Sequence, residues 1–378
     1  MAKSLQDVLQ QGVEAGHAPG FAAAALTPQG EVLSAAAGAR GVDNPAPMTP
    51  DTVFWIASMT KALTSVAAMQ LVERGLLDLD APVGERLPAL AAPKVLTGFD
   101  SAGAPVTRPA TKPITLRTLL THTSGLGYDF CSAELARFVD ATGVSVFGPG
   151  APDIPLLFEP GEAWQYGIST DWVGQLVEAV GGKGLDAWFE AEITGPLGMT
   201  DTTFAPGEAM AGRRASVHQR LDDGSLVPIP FAMPAPPYFS MGGGGLYSTA
   251  GDYLKFLQAI LAGGGGVLRP DTVARMTANQ VGELACGTLT SARPAKSRDF
   301  EVMPGVPKGW GLGFLINAAP AAEGRAAGSL AWAGLGNCYY WADPKSGAAG
   351  VLLSQVMPFA DPQVLETFAA MERFIYGV

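Results

Sequence analysis

A serine, a lysine and a tyrosine in this chain have the types and spacing for acyl chemistry. Ser58 and Lys61 stand in Ser58-Met59-Thr60-Lys61, directly after the apolar approach Val53-Phe54-Trp55-Ile56. Met59, Leu63, Val66, Met69 and Leu71 recur at helical spacing and Gly75 falls where a C-terminal cap belongs, so a helix is predicted from Ser58 to Gly75. Residues three apart sit one turn above another on the same helix face, so Lys61 Nζ can reach Ser58 Oγ. A serine hydroxyl is a weak nucleophile at neutral pH and needs a base beside it. A lysine serves as that base when burial or neighbouring cations depress its pKa. The apolar approach and Ala62, Ala67 and Ala68 could supply that burial. The free N–H groups at the helix start could stabilise a developing oxyanion. A serine followed by a lysine three positions later is expected by accident roughly once or less in a chain of this length, so the partners decide.

A second proton-transfer group is needed for the leaving group, and Tyr166 is the best candidate. It lies in Trp164-Gln165-Tyr166-Gly167-Ile168-Ser169, after the Pro160-Gly161 turn and before a helix predicted over Thr170–Val180. Beside a lysinium its pKa could fall far enough for it to act as a base, although a tyrosine before a helix is more often packing. A Ser-His-Asp arrangement finds no Gly-x-Ser-x-Gly elbow. His122, in Thr121-His122-Thr123-Ser124-Gly125, reads as a side chain that fixes a turn by hydrogen bonds. His17, His122 and His218, and Cys131, Cys286 and Cys338, are scattered without ligand spacing, so neither a metal nor a disulfide framework is expected.

These residues need a scaffold, and 378 residues with 48% hydrophobic content supply a large core. Net charge of −11 argues against nucleic-acid binding. No apolar run reaches membrane-spanning length, and Met-Ala-Lys-Ser-Leu-Gln-Asp has no apolar signal core, so a cytoplasmic protein is expected. Helices are predicted over Leu5–Ala15, Thr115–Thr121, Asp186–Glu192, Ser248–Leu261 and Asp361–Ile375. A hairpin is predicted from Phe21–Leu26 and Glu31–Ala37, and three late strands from Gly309–Asn317, Leu330–Ala342 and Ala349–Val356, with Pro88–Pro113 irregular. Thr249 with Asp252 resembles a capping box. The glycine run in Met241–Leu246 lacks the lysine of a phosphate loop and reads as close backbone packing. Strands at both ends and helices between them predict an α/β (α+β) fold: an antiparallel sheet built from both chain termini, flanked by helices, with an inserted mainly helical lobe. The expected division is 1–85 plus 205–378 against 86–204, with the active site in the cleft between.

With these motifs in place, the chain resembles the serine β-lactamase and penicillin-binding protein superfamily, in its class C β-lactamase-like branch, and within that the family VIII carboxylesterases. The matching pieces run through nearly the whole chain: Phe54 to Lys61, Ile114 to Leu126, Phe158-Glu159-Pro160-Gly161 before Tyr166, Gly243 to Thr249, and Trp332-Ala333-Gly334. The resemblance implies that Ser58 is acylated, that Lys61 is its base and that Tyr166 is a shared acid/base. It implies an oxyanion hole from the N–H groups of Ser58 and Leu335, and substrate contacts from Trp332, Gly334 and Tyr128, with His122 structural. Ile168 and Trp332 depart from the lactamase pattern, since both replace polar groups that would recognise a β-lactam. Lys345-Ser346-Gly347 spells a lactamase third motif, but Asp343-Pro344 before it and Gly347 make it a hairpin tip. The expected activity is therefore a serine carboxylesterase acting on small or short-acyl esters, with a small-molecule partner and no cofactor or metal. A β-lactamase, D-aminopeptidase, amide hydrolase or acyltransferase on the same scaffold remains open, as does a catalytically silent binding protein.

Overall fold

The structure, a computed structural model, describes residues 4–148, 150–231 and 240–378, so the first three residues of the N-terminal reading lie outside it. Strands β1 (Gly20–Leu26) and β2 (Val32–Gly38) form the expected hairpin. The far end of the chain supplies β3 (Lys308–Trp310), β4 (Leu315–Asn317), β5 (Leu330–Gly334), β6 (Cys338–Ala342) and β7 (Ala349–Leu353). All join one seven-stranded sheet in the order β3-β4-β5-β6-β7-β1-β2. Every neighbour in it is antiparallel. The α/β sheet built from both termini is therefore the observed architecture, and β1 beside β7 is the seam where the two chain ends meet.

Helices cover this sheet. Helix α1 (Leu5–Glu14) is capped by the Ser4 side chain, which accepts from the Asp7 N–H at 3.1 Å, and buries Leu5, Val8 and Leu9. Helix α2 (Thr60–Glu73) is buried from Thr60 to Leu71, so it carries no solvent face. The short helix α3 (Leu116–Leu120), helix α4 (Ala133–Thr142) and helix α5 (Ser169–Gly181) lie in the middle of the chain. Helix α6 (Ala250–Leu261) packs on β1 and β7, and the terminal helix α7 (Pro362–Tyr376) packs on α1. The alanine-rich β1 is buried at Gly20–Ala25, which requires cover on both of its faces. The contact of α2 with α5 matters most for function, because it brings Ser58 and Lys61 to Tyr166.

The structure corrects several local expectations. Leu330–Ala342 is two strands, not one, because the chain reverses at Leu335-Gly336-Asn337, where Asn337 has φ of 58°. Both strands are buried throughout, so no polar alternation marked the break. The Asn337 side chain holds the reversal by donating to Val356 O and Pro358 O at 2.7 and 2.9 Å. Gly309–Asn317 likewise divides into β3 and β4, with Gly313 at φ 103° between them. Val356 leaves the main sheet and pairs in parallel with His218. Pro88–Pro113 contains a two-stranded hairpin, Lys94–Phe99 with Pro105–Pro109, rather than being irregular. Thr249 does cap α6, accepting from the Asp252 N–H at 3.2 Å, but the Asp252 carboxylate turns away to accept from the Asp201 N–H at 2.7 Å. The reciprocal half of a capping box is absent there.

Candidate active site

Ser58 sits in a single tight turn, Ala57–Met59, immediately before α2. Ala57 has φ of 45°, a left-handed conformation that costs energy for any residue with a Cβ. Its surroundings hold it there. The Thr60 hydroxyl donates to Ala57 O at 2.6 Å and accepts from the Leu246 N–H at 3.1 Å, while the Ile56 N–H donates to Leu246 O at 3.0 Å. Strand β5 passes directly against this turn: a Cβ on Gly334 would lie 2.3 Å from Ile56 O. Only glycine admits that approach, which fixes the β5 end beside Ser58.

Lys61 Nζ lies 3.4 Å from Ser58 Oγ, one helical turn on. It donates to Gly243 O at 2.7 Å and to the Tyr128 oxygen at 3.1 Å. Burial pushes the Lys61 pKa down to about 8, against the opposing pull of the nearby Asp171 carboxylate. Tyr166 is buried with its ring 4.8 Å from Nζ, and Trp332 Nε1 donates to its oxygen at 3.2 Å. Burial pushes the Tyr166 phenol up, while hydrogen bonds to Ser58 and Trp332 pull it the other way. Against the expected fall, desolvation outweighs those two hydrogen bonds, and the group is a phenol at neutral pH.

Ser58, Tyr166, Trp332 and Leu335 line one narrow slot with Phe130 and Phe300, and Gly334 borders it. A wider, mostly apolar chamber of about 490 Å³ shares Phe300, Trp332 and Ala333 with the slot. The resemblance implies a pocket tyrosine at Tyr128, but it stands one layer deeper, between Lys61 and Asp171, with its ring stacked 4.9 Å from Phe130. Trp332 offers an N–H as well as apolar surface, which its residue type alone did not reveal.

His122 is buried at φ 56°, and its ring packs 4.9 Å from Tyr166 and 5.1 Å from Trp310. Its Nδ1 has no hydrogen-bond partner among the described residues, and its ring is packed within this aromatic cluster. Burial, aided by the Lys61 charge, drives its pKa well down and keeps it neutral. Lys345 is exposed in the turn between β6 and β7, as its flanking residues predicted.

Two parts of the site went unread in the sequence. The glycine run does pack closely, but it also carries the site's acceptors: Gly242 O takes the Thr64 hydroxyl, Gly243 O takes Lys61 and Gly244 O takes Trp55 Nε1, all at 2.7 Å. Asp171 is buried in the first turn of α5, accepting from the Gly243 N–H at 3.0 Å and from the Tyr128 hydroxyl at 3.4 Å. Asp171 stands in the first turn of α5, five residues after Tyr166, where an acidic side chain is ordinary helix chemistry, so its type alone did not mark it.

This sheet, with a serine and lysine one turn apart on a buried helix and a tyrosine facing them, defines the serine-type acyl-transferring class built on the β-lactamase scaffold. A family model described as Beta-lactamase matches residues 5–372, and the chain belongs to that family. It is 34% identical over 348 residues to the monacolin J acid methylbutanoyltransferase of Aspergillus terreus, covering 88% of this chain and 83% of that protein. It is 32% identical over 372 residues to the lovastatin esterase of Penicillium rubens, covering 94% and 93% of the two chains. Among solved structures it is similar to the unliganded simvastatin synthase of Aspergillus terreus, with a TM-score of 0.85, 32% identity, and coverage of 99% of this chain and 97% of that one.

Proposed function

We propose that this protein moves acyl groups through an ester on Ser58 Oγ and delivers them to a hydroxyl acceptor, either an alcohol or water. The observation that carries this reading is the approach of buried Lys61 Nζ, its pKa depressed to about 8, to within 3.4 Å of Ser58 Oγ, which itself lines a slot without charged side chains. Lys61 takes the Ser58 proton as Oγ bonds to the acyl carbon. The N–H groups of Ser58 and Leu335 receive the oxyanion. Tyr166, held as a phenol, gives its proton to the departing oxygen and regains one from Lys61. An acceptor hydroxyl then reverses these steps: its proton passes through the same groups, its oxygen bonds to the acyl carbon, and Ser58 Oγ leaves.

The transferase and esterase names of the relatives support both acceptors, and the transferases outrank the notion of simple hydrolysis. A carboxylesterase of family VIII type is the special case in which water is the acceptor. Turnover of β-lactams is disfavoured, because the slot is lined by Phe130, Leu289, Phe300, Trp332 and Phe359 without a cation for a carboxylate. Small-molecule acyl donors are the partners this reading implies. The free, buried thiols of Cys131, Cys286 and Cys338 support a reducing, cytoplasmic setting, and no described helix is long and apolar enough to cross a membrane.

The test is a nitrophenyl ester donor with a titrated alcohol acceptor, run beside a chromogenic cephalosporin and Ser58→Ala. Release of nitrophenol should be accompanied by an alcohol ester whose share rises with acceptor concentration. Cephalosporin turnover faster than ester turnover, or unchanged ester turnover in Ser58→Ala, would overturn the reading.

A further inference from the structure

Behind Lys61 the polar groups close into a ring. Lys61 Nζ donates to Gly243 O at 2.7 Å and to the Tyr128 oxygen at 3.1 Å. Tyr128 in turn donates to Asp171 Oδ2 at 3.4 Å, and the Gly243 N–H donates to Asp171 Oδ1 at 3.0 Å. One carboxylate therefore holds both acceptors of the lysine. A Cβ on Gly243 would lie 2.3 Å from Asp171 Oδ2, so the approach of that peptide to the carboxylate depends on glycine.

The ring has a directional consequence. Burial raises the Asp171 pKa, while Lys61, the Gly243 N–H and Tyr128 oppose that rise; in its ionised form the carboxylate only accepts, so Tyr128 spends its single proton on Asp171 and offers Lys61 nothing but lone pairs. The carbonyl of Gly243 likewise only accepts. A neutral lysine amine has two N–H bonds and one lone pair. With both N–H bonds committed to Gly243 and Tyr128, the lone pair is left for the third neighbour, Ser58 Oγ. That is the orientation in which Lys61 can take the serine proton.

We infer that Asp171 is a positioning residue: by holding Tyr128 and Gly243 as acceptors it turns the lone pair of Lys61 toward Ser58. The inference rests on the acyl-enzyme reading above. The groups facing this carboxylate are Lys61 from α2, Tyr128 from the segment after His122, the Gly243 N–H, and Tyr166, while the Cys131 thiol bears on Lys61, Tyr128 and Tyr166. Lys61 is the cation among them. Asp171 also opposes the burial that lowers the Lys61 pKa, so losing its charge must lower that pKa further.

Asp171→Asn separates positioning from mere support. An amide must donate from one side, which sets it against either the Gly243 N–H or the Tyr128 proton. If Tyr128 turns, its proton meets the Lys61 lone pair and blocks the base. The readout is the rate of Ser58 labelling by a fluorophosphonate against pH, which needs no acceptor. In the wild type this rate should rise through a pKa near 8, the deprotonation of Lys61. In Asp171→Asn the plateau should fall about 100-fold and the rising limb should move to lower pH. A folded variant whose limb stays in place, or whose plateau is wild type, overturns the proposal. If Asp171→Asn fails to fold, Tyr128→Phe carries the test, because it removes one acceptor from Lys61. Its plateau should fall about tenfold with the limb moved to lower pH, and an unchanged profile overturns the proposal. Absence of any Ser58 labelling in the wild type would instead strike the acyl-enzyme reading itself.

Discussion

The layer behind Ser58 and the wall in front of it are built on opposite principles. Behind it, Lys61, Tyr128, Asp171 and Gly243 are buried and bonded to one another, with every proton assigned a direction. In front, Phe130, Leu289, Phe300, Trp332 and Phe359 present apolar surface. A buried polar network tolerates little change, because an orphaned member costs its full desolvation. An apolar wall can be reshaped at the expense of volume alone. On the proposed mechanism the back layer sets whether acyl transfer occurs, and the front wall sets which acyl group and acceptor fit.

The largest effect should come from the atom between the two layers. Ser58→Ala should lower kcat by about four to six orders of magnitude and abolish the single covalent adduct seen by intact-mass spectrometry. Retained turnover would place the reacting oxygen elsewhere and dissolve the distinction between back and front.

Next in size are the back-layer changes. Lys61→Ala and Tyr166→Phe should each lose several orders of magnitude, and the double variant little more, because each group is useless without the other. Losses that multiply would show independent action. The pH profile gives the sign. As the proposed base Lys61 would act when neutral, so kcat/KM should rise as pH increases through about 8. Tyr166 acts as a donor with a pKa pushed up by burial, so no second ionisation should cut the rate just above that limb. An acid-side optimum would reverse the assignment of base and acid.

How much of this was legible in the sequence follows the same division. The clustering of Ser58, Lys61 and Tyr166 was legible because local geometry joins the first two and a turn followed by a helix marks the third. The sheet from both termini was legible in the hairpin at one end and the apolar runs at the other. The β5–β6 reversal was harder to read, because two entirely buried strands show no alternation and its Gly336-Asn337 turn, with Asn337 left-handed, is the one local signal inside a long apolar run. Asp171 escaped for a different reason. Its partners Tyr128 and Gly243 are distant in sequence and meet only where α5 packs on α2.

Trp332 belongs to both layers and so tests the boundary between them. Its ring lines the slot while its Nε1 donates to the Tyr166 oxygen at 3.2 Å. Trp332→Phe should keep most of the wall and lose the hydrogen bond, lowering kcat about tenfold with acyl-chain preference nearly unchanged. Trp332→Ala should add a shift of preference toward bulkier acyl groups, measured across a nitrophenyl ester series. If both variants altered preference equally and neither altered kcat, Trp332 would belong to the front wall alone.

The smallest effect is expected at Lys345, which tests whether charge outside both layers matters. Lys345-Ser346-Gly347 has the letters of a cationic lactamase strand motif but occupies the turn between β6 and β7. That turn is organised by Asp343, whose Oδ1 accepts from the N–H groups of Lys345 and Ser346 at 2.9 and 3.2 Å, and by Gly347 at φ 79°. These are backbone contacts, and alanine keeps them. The Lys345 side chain is exposed, while the residue that faces Tyr166 from the β5 strand is Trp332. Lys345→Ala should therefore leave ester kinetics within about twofold and stability within about 0.5 kcal/mol, read from kcat/KM and the thermal midpoint. Loss of activity in Lys345→Ala, with Trp332→Ala unaffected, would exchange the places of the two residues. The front wall would then carry a cation, and β-lactam turnover would become the expected chemistry.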